Sequence, residues 1–138
     1  FSSNYSFEAG RMEMLRILED KPVEAIFCGD DVLSIGALSA IRDKGLEPAK
    51  DIGVLGVNDM EMASWNGIDL TTIRQPIKQI VSASIDLVEE LLAEPTRCPE
   101  ARLFPCTVIE RDTLRKAYAR RPDSIFGNKG MEHLTKAG

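Results

Sequence analysis

Two short polar clusters stand where strand-like runs give way to the next element: Gly29-Asp30-Asp31 and Asn58-Asp59. Carboxylates and amides in such places accept or exchange paired hydrogen bonds with adjacent hydroxyls, which is how a neutral polyol or sugar is held. Asp31 and Asp59 lie 28 residues apart, about one strand-helix-strand advance in an α/β sheet. Capping a helix explains each Asp or Asn taken singly. Two clusters at equivalent places in two βα units say more, because parallel neighbouring strands would point both at one crevice outside their carboxyl ends. Tyr5 and Trp65 are candidate stacking platforms, since a flat aromatic covers the apolar face of a sugar or base at little cost in rotamer entropy. The candidate ligand-binding residues are therefore Tyr5, Asp30, Asn58 and Trp65.

Catalytic and metal chemistry find little footing. The single histidine, His133, falls in the C-terminal tail, so no Cys-His or Ser-His pair can be assembled in the body. Cys98 and Cys106 are eight residues apart with no His or third Cys beside them, which is poor ligand spacing. The glycines of Gly53-Val54-Leu55-Gly56 make neither a GxGxxG nor a P-loop pattern. No catalytic residue, metal site or cofactor is expected. An enzyme using Asp30 or Asp31 as a base is the rival from that class.

The elements that must position these residues alternate. FEAGRMEMLRILED, residues 7–20, has helical apolar spacing and is stopped by Pro22. A buried-type strand follows at residues 24–29, then a helix capped by Asp30-Asp31 and closed by Gly45, then a second buried strand at residues 52–57. Residues 60–70 read as a short helix or structured loop, and LTTIRQ as a strand or extended crossover bounded by Pro76. From Pro76 to Glu94 a broad apolar stripe of Ile77, Ile80, Val81, Ile85, Val88, Leu91 and Leu92 predicts a helix, and LFPCTVIE, residues 103–110, an edge strand. The fold class expected is α/β, a parallel sheet flanked by helices.

At 138 residues, 43% hydrophobic and 28% charged, the chain has the composition of an ordinary globular domain. Three cysteines without CxxC pairing point to a reducing compartment, with the cytoplasm as the expected location. No run of 18 apolar residues spans a bilayer. Residues 1–110 carry 10 Lys/Arg against 19 Asp/Glu, and residues 111–138 carry 7 against 3. An acidic body repels phosphate backbones, so direct nucleic-acid binding by residues 1–110 is not expected.

AIFCGDDVLSIGALSAIRDKGLEPAKDIGVLGVND, followed by LTTIRQP, resembles the C-terminal half of LacI/GalR repressors in order and spacing over about residues 5–112. The resemblance implies part of a periplasmic-binding-protein-like type I sensor, mainly its C-terminal lobe. In that family two lobes close around a small-molecule effector such as a sugar, and a helix-turn-helix headpiece reads operator DNA as a homodimer. By resemblance, Tyr5 matches an aromatic effector contact, Asp30 the first residue of an Asn-Asp pair, and Asn58 the first acid of an Asp-Asp pair. Asn58 departs from the pattern, because an amide donates as well as accepts. The resemblance further implies a truncated C-terminal lobe at 1–75 and a crossover helix and strand at 76–112 that pack on the other lobe. A basic flexible tail at 113–138 completes the division. The 76–94 stripe would then lack its native partner here, so self-association or element swapping is expected. A periplasmic solute-binding protein of an ABC transporter shares the fold and is the leading alternative.

Overall fold

The computed structural model describes residues 5–20 and 22–115. Residues 1–4, Lys21 and 116–138 lie outside it, as does His133.

Helix α1 (Phe7–Asp20) and strand β1 (Ala25–Phe27) lead into helix α2 (Asp31–Asp43) and strand β2 (Gly53–Val57). α2 is apolar on most of its surface because it lies in the middle of the packing: Ala37, Leu38, Ala40 and Ile41 are buried with Met14 of α1 and Ile52 and Val54 of the sheet. Its ends are well specified. Asp30 is extended and accepts from the Val32 N–H, satisfying one of the orphan donors of the first turn. At the other end Gly45 N–H bonds to Arg42 C=O and Leu46 N–H to Ile41 C=O, the paired bonds of a Schellman closure. α1 crosses α2 at close range. A Cβ on Gly36 would meet the Phe7 carbonyl oxygen at 2.1 Å, so only glycine permits this approach.

β2 is followed by a 3₁₀ turn (Glu61–Ser64), strand β3 (Thr72–Arg74), helix α3 (Ile77–Ala93) and strand β4 (Thr107–Ile109). The sheet order is β1-β2-β3-β4, with β1, β2 and β3 parallel and β4 antiparallel to β3. The α/β class and the parallel pairing agree with the expectation from sequence. Strand ends are shorter than expected by one to four residues, most at the last, where Pro105 and Cys106 precede the ladder.

Two observations bear on the chain beyond residue 76. β4 joins the same sheet as β1–β3 through its ladder with β3. The chain then runs on into the core: Thr113 is 2% exposed. Thr113 C=O accepts from Val54 N–H at 2.8 Å, and its hydroxyl donates to Val54 C=O and accepts from Thr71 N–H, each at 2.8 Å. Residues 111–115 are thus hydrogen-bonded to the sheet and the loop before β2. Their anchors lie 42 and 59 residues away in sequence. α3, by contrast, has no buried residue, and Ile77, Val81, Ile85, Val88 and Leu92 are exposed along one face.

Candidate ligand-binding site

The carboxyl ends of β1, β2 and β3 present Asp30, Asn58 and Gln75 side by side. Asn58 Nδ2 donates to Asp30 Oδ2 at 2.9 Å, and Gln75 Nε2 donates to Asn58 Oδ1 at 3.0 Å. The two polar clusters therefore meet at one end of the sheet, as parallel pairing of their strands requires. Capping and this contact coexist on one carboxylate: Asp30 Oδ1 takes the helical N–H of Val32 and Oδ2 takes the Asn58 amide. Asn58 remains exposed and Asp30 and Gln75 half-buried. One Asn58 N–H, the Gln75 carbonyl oxygen and spare lone pairs on Asp30 are left to meet hydroxyls of a ligand.

Gln75 escaped the sequence reading. The signal was available, because applying the strand-end rule to LTTIRQ as well as to the first two strands puts Gln75 in the third equivalent place.

Beneath this shelf two carboxylates do different work. Asp31 is fully buried; its Oδ1 accepts from the Thr72 hydroxyl at 2.6 Å and its Oδ2 from Met60 N–H at 2.7 Å. Burial pushes the Asp31 carboxyl above its ordinary range, with the two hydrogen bonds opposing. Gly56 makes room for it, since a Cβ there would lie 2.5 Å from Asp31 Oδ1. Asp59 has a side chain only 6% exposed and sits between two guanidinium groups. Arg74 Nε and Nη2 reach Asp59 Oδ2 at 2.6 and 2.5 Å, and Arg111 Nη2 reaches Oδ1 at 2.7 Å. Burial alone would raise Asp59, but the bonds and charges of Arg111 and Arg74 outweigh it and hold the carboxyl below its ordinary value. Asn58 and Asp59 both have positive φ, 105° and 53°, a region costing about 1 kcal/mol or more for a residue with a Cβ.

Tyr5, 77% exposed, stands at a cavity of about 410 Å³ along the outer edge of β1, whose lining includes Met14, Ile26, Cys28, Gly29 and Leu33. Gly29, which lines the same cavity, precedes Asp30 in sequence. Burial raises the Cys28 thiol, which keeps it protonated. Trp65 is placed differently. It closes the 3₁₀ turn, is 55% exposed, and shares neither the cavity lining nor a hydrogen bond with Asp30 or Asn58. The structure brings Asp30 and Asn58 together and sets Tyr5 at a cavity that Gly29 also lines, while Asp30, Asn58 and Trp65 do not line it. Among the described residues no group of three His, Cys, Asp or Glu could hold a metal ion, and no helix is long and apolar enough to cross a membrane.

Residues 1–114 match the family described as periplasmic binding protein-like domain. The chain is 32% identical over 113 residues to the probable HTH-type transcriptional repressor ExuR of Bacillus subtilis, covering 81% of this chain and 34% of that protein. It is 30% identical to the HTH-type transcriptional repressor CytR of Escherichia coli, again over 113 residues, covering 81% and 33%. Among solved structures, a lac repressor dimer bound to operator and an anti-inducer superposes with TM-score 0.70 at 28% identity, covering 82% of this chain and 40% of that one. A LacI-family regulator from Corynebacterium glutamicum gives 0.67 at 29%, covering 80% and 43%. The chain spans about a third of the length of the curated relatives it matches.

Proposed function

The chain belongs to the periplasmic binding protein-like domain family, and from that premise we propose that it is the effector-sensing part of a LacI/GalR-type transcriptional repressor. The effector is a small polyhydroxylated molecule, a sugar or close relative, held on the shelf of Asp30, Asn58 and Gln75 with Tyr5 stacking at its side. The observation that carries this reading is the continuous hydrogen-bonded row across three parallel strand ends, Asp30 to Asn58 to Gln75. Trp65, exposed where the 3₁₀ turn ends, is given no contact in this reading.

In the intact regulator, effector binding between two lobes favours one hinge angle and so changes how a homodimer sits on its operator. Effector and operator affinities are then linked reciprocally. Operator contact falls to a helix-turn-helix unit, since residues 1–110, with 19 acids against 10 bases, form no surface for phosphates. The protein works in the cytoplasm and catalyses no reaction. Relatives that are named as repressors support this over a transporter's solute-binding protein and over an enzyme.

A thermal-shift panel of neutral sugars, sugar acids, sugar phosphates and nucleosides tests the reading, because a ligand that binds only the folded state raises its melting temperature by mass action. A hit whose shift is lost in Asp30→Ala and reduced in Tyr5→Ala supports it. A hit that stabilises both variants as much as the parent places the effector elsewhere.

A further inference from the structure

Asp59 immediately follows the shelf residue Asn58, yet its own carboxylate points away from the shelf into a clamp built from distant parts of the chain. Arg74 stands at the end of β3, where the chain leaves the sheet toward α3. Arg111 stands just past β4, where it returns. Arg111 is further fixed by Nη1 donating to Leu70 C=O at 2.7 Å and its backbone N–H donating to Thr71 Oγ1 at 2.9 Å. Asp59 N–H in turn donates to Thr72 Oγ1 at 3.4 Å. Left-handed φ at two successive residues persists only where surrounding contacts impose it, and these are the contacts that impose it.

We propose that Asp59 is a positioning residue: held by Arg74 and Arg111, it keeps β2's end in the left-handed turn that aims Asn58 at Asp30 and Gln75. The proposal rests on the effector-site reading given above and assigns Asp59 no contact with ligand. It ties the shape of the shelf to the two strands by which the chain departs from the lobe and comes back. An effector that settles Asn58 and Gln75 therefore tightens the docking of residues 111–113, and loosening that docking weakens the effector. Two charge-assisted bonds from one side chain to separate strands supply the stiffness that a neutral amide in the same place lacks.

The test uses the whole 138-residue chain, ¹⁵N-labelled, as parent, Asp59→Asn and Arg111→Gln. The second variant keeps the carboxylate and serves if the first does not fold. In the parent, the Asn58 and Gln75 side-chain amides give resolved, exchange-protected signals. In either variant those signals collapse toward free-amide positions while amides of the core helix, Leu38 and Ile41, stay within their parental positions. A D-ribose and D-glucuronate titration adds the ligand arm, with affinity falling tenfold or more in the variants at a temperature where all are folded. A merely structural role would lower the melting temperature and leave the Asn58 and Gln75 signals unmoved. That result overturns the proposal whether or not either sugar binds, whereas failure of both sugars to bind the parent bears only on the choice of effector.

Discussion

Thr113→Val keeps the shape of a buried side chain and removes its hydroxyl. Thr113 lies 2% exposed between β2 and β3, and its oxygen serves Thr71 N–H and Val54 C=O, each at 2.8 Å. Leaving a buried donor or acceptor unmet costs about 1–2.5 kcal/mol each, so the pair predicts a loss of about 2–5 kcal/mol. For a domain of this size that corresponds to a melting temperature lower by about 8–20 °C. Differential scanning calorimetry against Thr107→Val, an exposed position on β4, separates this from the general effect of trading Thr for Val. A drop within about 2 °C of that control would refute the reasoning and return residues 111–115 to the status of a solvated tail.

Gly36→Ala sets helix propensity against packing: propensity alone favours Ala by about 1 kcal/mol. The 2.1 Å approach of its Cβ to the Phe7 carbonyl predicts instead a net loss of about 1–3 kcal/mol, read from the urea midpoint. For Asp59 the folded pKa lies below the ordinary 3.8, so its stabilisation is present above about that pH and is lost as the pH falls through the folded value. Asp59→Asn should therefore flatten the acid limb of the stability profile below about pH 4 while lowering stability at pH 7, and an unchanged acid limb would contradict the clamp. The exposed face of α3, with Val81, Ile85, Val88 and Leu92 uncovered, predicts concentration-dependent association in sedimentation velocity. Ile85→Glu should abolish it, and a monomeric parent at all concentrations would count against it.

The order of elements was readable because it rests on local signals: a continuous apolar run for each parallel strand, a 3.6-residue stripe for each helix, and Asp30 and Gly45 as start and stop of α2. The adjacency of Asp30 and Asn58 was readable for a related reason, since two parallel neighbouring strands bring the residues past their carboxyl ends together. Arg111 and Thr113 were not. They sit in a polar stretch that looks like a tail, and their roles come from partners 40 to 59 residues earlier in sequence, a relation that periodicity does not encode.

The central claim is that Asp30, Asn58 and Gln75 form one surface for a single small molecule. Titrating the strongest hit from the sugar panel into chain labelled at its Asn and Gln side-chain amides tests it most directly. If one molecule spans the row, the Asn58 and Gln75 amide signals move together along one saturating curve, and Asp30→Ala removes the movement of both. Saturable binding of the same compound with both signals stationary would contradict it.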